Sequence, residues 1–338
     1  MCTNVSGGHR YTIALPGSFS MGRSMGITLV GIALAMLSSC KTAPPAIAVI
    51  PRACGTALWE PAFAGAAEVA RANGMTIYWN APTLANDVQK QIALLEKVAA
   101  KSYKGIVVAP DETLALRTPI KRVLARHIPI VVVGTELGIS PDSSLSYVLN
   151  DEVAGGRLAA RRLGLVLGGR GSVAVLGLDP KLWSVTLRER SFENTLAEEF
   201  PQIRVVARRA GQASVAQEQE VAEELLQSDT RFNALIALSA DSTRGAYYAL
   251  VEFEKAGAIK LIGFDQDLLP PIRNGGLDSV VVQNSYVIGQ LAVRQINGQL
   301  HGAKVADKIL VQPELVTRDN IDSADMRQIF TARWWAGQ

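Results

Sequence analysis

Gly105-Ile-Val-Val-Ala-Pro-Asp111, followed by Ile128-Pro-Ile-Val-Val-Val133, is the stretch on which the fold turns. Each segment is a short, unbroken run of β-branched residues. A strand with one wet face alternates apolar and polar residues; a strand covered on both faces does not need to. Both runs therefore read as central strands of a parallel sheet, and each ends in a polar turn. Similar runs recur on either side: Ala46–Ile50, Met75–Trp79, Ser172–Leu176, Ile203–Ala207, Ala234–Ala237, Lys260–Phe264 and Asp278–Val282. Helical periodicity separates several of them. Asp87–Ala100 puts Ile92, Leu95, Val98 and Ala99 on one stripe. Phe63–Asn73 stops at Gly74, Ser242–Lys255 before Gly257 and Tyr286–Asn297 at Gly298; Ser214–Leu226 is alike in pattern. Strand and helix in alternation give right-handed βαβ units. With 338 residues, 48% of them hydrophobic, the chain can bury two cores, so two smaller sheets are expected over one sheet of nine strands.

The N-terminal part reads differently. Met25–Leu37 is apolar but only 13 residues long, short of the roughly 20 that a membrane-spanning helix needs. It fits the apolar region of a signal peptide, with Arg23 before it. Leu37-Ser38-Ser39-Cys40 resembles a bacterial lipobox, which implies cleavage before Cys40 and a lipid on its thiol. Residues 1–39 are thus a leader, with translation expected to begin at Met1, Met21 or Met25, and 40–45 a lipid-anchored linker. The expected location is the periplasm or the cell surface, tethered to the membrane. No internal disulfide is expected in the mature chain, since Cys54 would be its only cysteine besides Cys40.

Charge narrows the function. The formal net charge is +3; removing a leader that holds Arg10, Arg23 and no acid leaves 32 basic against 31 acidic residues. That balance offers no basic face for nucleic acid. Three cysteines without CxxC spacing, and only His127 and His301 beyond the leader, argue against a metal site. No GxGxxG follows a strand, and neither GxxxxGK[ST] nor GxSxG occurs, so neither an enzyme nor a cofactor is expected.

The order of these motifs resembles the type I periplasmic binding proteins, the ribose- and galactose-binding group, over about residues 46–316. Leu58-Trp59 with Gly65, the Gly105–Asp111 and Ile128–Val133 segments, Asn150-Asp151 before Gly155-Gly156, Arg188-Glu-Arg190, Gly263-Phe264-Asp265 and Val282-Gln283 carry the resemblance. It implies an α/β fold of two Rossmann-like lobes with parallel sheets, joined by three crossovers and closing like a hinge. One lobe would hold 46–149 and 284–311, the other 150–283 and 312–325, with 326–338 left as a tail. The implied function is capture of a small polar ligand, a sugar or polyol, for an ABC importer. A sensory protein serving a chemoreceptor or histidine kinase is the alternative. A LacI-type effector domain is remote, because an apolar leader stands where such repressors carry their helix-turn-helix. The protein would be a monomer whose partners are the ligand, a permease or membrane receptor, and the membrane.

Ligands of open α/β sheets sit beyond the carboxyl ends of the strands. Residues at those ends, together with the resemblance, make Thr56, Trp59, Asp111, Thr135, Glu136, Trp183, Arg188, Asp241, Asp265 and Gln283 the candidate ligand contacts. The resemblance gives Trp59 a stacking role, Arg188 a donor role and Asp265 an acceptor role. Two departures stand out: Gly134-Thr135 and Ala240-Asp241 occupy positions where the sugar binders often carry Asp-Arg and Asn-Asp. Each lost charged hydrogen bond is worth about 1.5–3 kcal/mol. The departures therefore imply replacement contacts, from Glu136, Asp111 or Trp183, and a different sugar, a polyol, an autoinducer-like molecule or a nucleoside as ligand.

Overall fold

The computed structural model describes residues 46–330, apart from Ala57, Ala85, Ala213, Asp265–Asp267 and the side chain of Gln328. The leader, Cys40, the linker, Asp265 and residues 331–338 of the tail therefore lie outside the described residues. In chain order the elements are β1 (Ala46–Ile50), α1 (Trp59–Ala72), β2 (Thr76–Trp79), α2 (Val88–Ala99), β3 (Gly105–Val108), α3 (Arg117–Leu124), β4 (Ile130–Val133) and β5 (Leu145–Asn150). Then come α4 (Glu152–Val166), β6 (Arg170–Leu178), α5 (Trp183–Glu199), β7 (Gln202–Ala210), α6 (Val215–Gln227), β8 (Ala234–Ala237) and α7 (Ala240–Glu252). Last are β9 (Lys260–Phe264), α8 (Leu269–Asn274), β10 (Ser279–Val282), α9 (Ser285–Leu300), β11 (Lys308–Val311), β12 (Glu314–Thr317) and α10 (Ala324–Phe330). Among the described residues no helix is long and apolar enough to cross a membrane.

The strands form two six-stranded sheets, ordered β11-β5-β4-β3-β1-β2 and β12-β10-β9-β8-β6-β7. All described pairings are parallel except β10 with β12. The runs read as central strands are buried throughout, as β3, β4 and β8 show. The edge strand β7 instead alternates buried and exposed residues. Each sheet separates two apolar layers, giving two cores per lobe.

The chain crosses between lobes three times: after β5, after β10 and between β11 and β12. The first two crossings repeat one design. Asn150 ends β5 and Gln283 directly follows β10, both amides, and in each case the next residue caps a helix of the opposite lobe. Asp151 accepts from Ala154 N–H at 2.8 Å, and Asn284 from Val287 N–H at 3.2 Å. The Asn150 Nδ2 donates to Gln283 Oε1, so the two crossings are tied at the hinge.

The expected helix starting at Phe63 begins instead at Trp59, with Pro61 in its first turn, where a missing N–H costs nothing. The last long helix runs through Gly298 to Leu300. The tail was expected to start at 326, but α10 spans Ala324–Phe330, with Met326 buried in the second lobe's core and Ile329 and Phe330 against it. Cys54 is disulfide-bonded in the full chain, and Cys2 and Cys40 both lie outside the described residues.

Helices α1 and α9 pack with backbones nearly touching. A Cβ on Gly289 would lie 2.0 Å from the Ala62 carbonyl oxygen, and one on Gly65 2.1 Å from that of Tyr286. Neither neighbour is a flexible side chain, so the helices must separate to accept a methyl. Gly289→Ala is expected to cost about 1–3 kcal/mol in chemical denaturation; an unchanged midpoint would contradict the packing described.

Candidate functional site

A cleft of about 500 Å³ opens between the lobes. Lobe one contributes the loops after β1 and β3; lobe two contributes the loop after β6 and the first turns of α6 and α7.

Asp111 is 3% exposed and follows β3. Gln91 of α2 fixes its turn: Gln91 Nε2 donates to the Ala109 carbonyl at 2.8 Å, and Asp111 N–H donates to Gln91 Oε1 at 2.9 Å. Asp111 Oδ1 accepts from Arg52 Nε at 3.2 Å and from Asn86 N–H at 3.4 Å. Its Oδ2 is buried without a partner. Burial pushes this carboxyl above the usual aspartate range, against the pull of Arg52.

Glu218 faces the cleft from the other lobe and is 2% exposed. Its Oε1 accepts from Gln212 N–H at 2.8 Å, whereas Oε2 has no partner. Burial pushes its carboxyl up to about 7, the Gln212 N–H opposes this, and Asp241 adds to it. Asp241 in the first turn of α7 accepts from Arg244 Nη2 at 2.9 Å.

Trp59 lines the cleft and also packs on the β1–β3–β4 core layer. Its ring tip is 3.7 Å from where a Cβ on Gly134 would be, and Gly134 has φ +82°. The left-handed backbone favours glycine at this position, where the sugar binders often carry a charged residue. Thr56 lines the cleft, but its hydroxyl accepts from Trp59 N–H at 3.2 Å and so caps α1.

The candidate contacts thus separate. Thr56, Trp59, Asp111 and Asp241 meet at the cleft. Thr135, Glu136 and Trp183 line a second hollow of about 140 Å³ beside the first crossover, with Glu136 in an ion pair with Lys308 at 2.6 Å. Arg188 and Gln283 line neither hollow. The Arg188 guanidinium, expected to meet ligand, is 4% exposed and committed to protein. Its Nε and Nη2 donate to Glu152 Oε2 at 2.8 and 2.7 Å, its Nη1 donates to the Leu238 carbonyl, and it stacks 4.1 Å from the Phe264 ring centroid. Gln283 is occupied at the hinge.

The expectations missed Arg52, Asn86, Gln212, Arg244 and Glu218, all at the cleft. Glu218 left a signal: it shares a helical face with Ala222 and Leu225, and a carboxylate on an apolar stripe is anomalous.

Direct hydrogen bonds join the lobes. Thr113 N–H donates to the Lys181 carbonyl at 3.0 Å. Trp183 N–H donates to Thr113 Oγ1 at 3.1 Å, and Ser184 N–H to Thr135 Oγ1 at 3.2 Å. Helix α5 has no side-chain cap of its own; threonines of the facing lobe satisfy its first N–H groups.

Residues 47–304 match the family model described as periplasmic binding protein domain. The ribose import binding protein of Bacillus subtilis is 27% identical over 235 residues, 69% of this chain and 75% of its own. The D-apiose import binding protein of Paraburkholderia graminis is 23% identical over 274 residues, 79% and 86% of the two chains. An ABC transporter solute-binding protein from Agrobacterium vitis, solved with α-D-tagatopyranose, has a TM-score of 0.80 and 24% identity, covering 84% of this chain and 98% of that one.

Proposed function

The chain belongs to the periplasmic binding protein domain family, and from that premise we propose that it captures a sugar or polyol between its lobes and delivers it to an ABC importer. The observation that carries this reading is the cleft itself: two buried carboxylates, one on each lobe, line one hollow and each keeps a partnerless oxygen. The names of the relatives, which import ribose and D-apiose, support the ligand class. Trp59, Asp111 and Asp241 are the proposed contacts, with Thr56 positioning Trp59. By resemblance Asp265 joins them as an acceptor of ligand hydroxyls. The cleft offers stacking and hydrogen bonds, and ligand recognition requires nothing more of it.

Titration calorimetry against a panel of sugars and polyols tests this. A micromolar ligand corresponds to about −8 kcal/mol. Trp59→Ala and Asp111→Asn are each expected to weaken it at least tenfold, about 1.4 kcal/mol. Undiminished affinity in both variants overturns the assignment of the cleft.

Export and a lipid on Cys40 complete the proposal, supported by the Leu37–Cys40 signal. Mass spectrometry of the mature N-terminus is expected to find diacylglycerol on Cys40, lost in Cys40→Ala. A Cys40–Cys54 disulfide in the mature protein overturns it, since one sulfur cannot carry both bonds.

A further inference from the structure

Resting on the capture reading above, we infer that the ligand is an amino sugar or amino-polyol whose ammonium group is held between Asp111 and Glu218. Both carboxylates are almost fully buried, they come from opposite lobes, and both line the cleft between them. Each has one oxygen already used, Asp111 Oδ1 by Arg52 and Asn86, and Glu218 Oε1 by Gln212. Each has a second oxygen that is buried and receives no donor, Asp111 Oδ2 and Glu218 Oε2. Acceptors removed from water in this way call for donors on the ligand.

The charge around them favours a cation over a neutral hydroxyl. The cleft gathers Arg52, Asp111 and Glu112 from one lobe, and Asp179, Lys181, Glu218, Asp241 and Arg244 from the other. That is five carboxylates against three cations. Arg52 bonds Asp111 through the oxygen already counted, and Arg244 bonds Asp241. An ammonium brings three donors and a full charge, a match for the unpartnered buried oxygens of both acids. Bonds between ionised partners are roughly twice as strong as neutral ones. A bare metal ion is a poorer match: among the described residues no group of three His, Cys, Asp or Glu side chains is placed to hold one. The cleft's volume suits a ligand of monosaccharide size or somewhat larger.

Proton linkage gives the inference a second handle. Burial pushes the Glu218 carboxyl up to about 7, with Asp241 adding to the shift. An ammonium beside it favours the carboxylate. Binding of the amine therefore expels a proton, and a neutral sugar has no charge with which to do so.

Calorimetry of the intact protein with matched pairs tests the inference: D-glucose with D-glucosamine, D-galactose with D-galactosamine, and scyllo-inositol with its monoamino derivative. At pH 7.5 at least one amino compound is expected to bind 30-fold or more tightly than its neutral partner, and N-acetylation is expected to remove the advantage. Glu218→Gln is expected to reduce the advantage below threefold, with Asp111→Asn as the second variant from the other lobe. Repeating the titration at pH 6.5 in buffers of different ionisation enthalpy is expected to show proton release in the wild type and none in Glu218→Gln. If neutral compounds bind as well as or better than their amines in every pair, the amine inference is overturned while capture stands. If no member of any pair binds, capture of a sugar-like ligand falls, and this inference with it.

Discussion

Arg188→Ala is expected to lower the unfolding free energy by about 3–5 kcal/mol, the cost of stripping one partner from a buried ion pair. Arg188 and Glu152 are 4% and 7% exposed, and the guanidinium reaches three elements besides its own. It bonds Glu152 in the first turn of α4, bonds the carbonyl of Leu238 just past β8, and lies over Phe264 at the end of β9. Alanine removes all three contacts and leaves Glu152 buried without this cation. Urea denaturation followed by far-UV circular dichroism gives the number. Arg188→Met combined with Glu152→Gln is expected to recover at least half of the loss, because it removes both charges and keeps the volume. The opposite pattern is informative. If Arg188→Ala unfolds at the wild-type urea concentration but no longer binds ligand, the arginine belongs to the ligand and not to the lobe.

Glu218→Gln is expected to stabilise the ligand-free protein, and to do so only above acidic pH. The carboxyl titrates near 4.5 when unfolded and about 7 when folded. Below pH 4.5 both states are protonated and the substitution changes little. Between the two values the unfolded chain ionises while the folded one stays protonated, so the wild type loses stability as pH rises. Above 7 the whole cost is present, about 3 kcal/mol. Glutamine keeps an acceptor for Gln212 N–H and carries no charge to desolvate. Its melting temperature is expected to exceed the wild type's by roughly 6–12 °C at pH 8 and by almost nothing at pH 4.5. Equal melting temperatures at pH 8 would show that the carboxylate is not strained by its burial. The gain in stability with loss of amine preference would make Glu218 a residue kept for binding at the fold's expense.

The central strands were plain in the sequence because β-branched runs such as Ile-Val-Val-Val at 130–133 can do little else. The strands that escaped, β5, β11 and β12, lead into or form the crossovers. Ser146 and Asn150 interrupt the apolar pattern of β5; β11 is a four-residue edge strand with Leu310 exposed, and Pro313 separates it from β12. The pairing of β11 is set by β5, far back along the chain, which local periodicity does not record. The site divides in the same way. Thr56, Trp59, Asp111 and Asp241 follow strands, and strand ends face the cleft in any such sheet. Arg188 lies inside α5, away from any strand end, and only the resemblance points to it; Glu152, which it bonds, is 36 residues away and nothing near Arg188 announces it. Thr135 and Trp183 are polar or aromatic at the right places; the structure adds bonds between the lobes, the Thr135 hydroxyl accepting from Ser184 N–H and the Trp183 backbone N–H donating to Thr113, that no local pattern records.

The threonine hydroxyls at the head of α5 have a kinetic meaning. They make one lobe finish the other's secondary structure, so parting the lobes uncaps a helix. Water can replace each hydroxyl, at a loss of about 1 kcal/mol per bond. Two such bonds multiply the shut-to-open ratio by roughly 30. The bias is independent of cargo, since Thr113 and Thr135 bond backbone amides and not the solute. Residence time of any captured molecule therefore has a fixed part, written into the main chain of α5, and a variable part, written by the molecule itself. Thr113→Val and Thr135→Val would shorten the fixed part for every cargo alike, the mark of a brake as opposed to a lock shaped to one key.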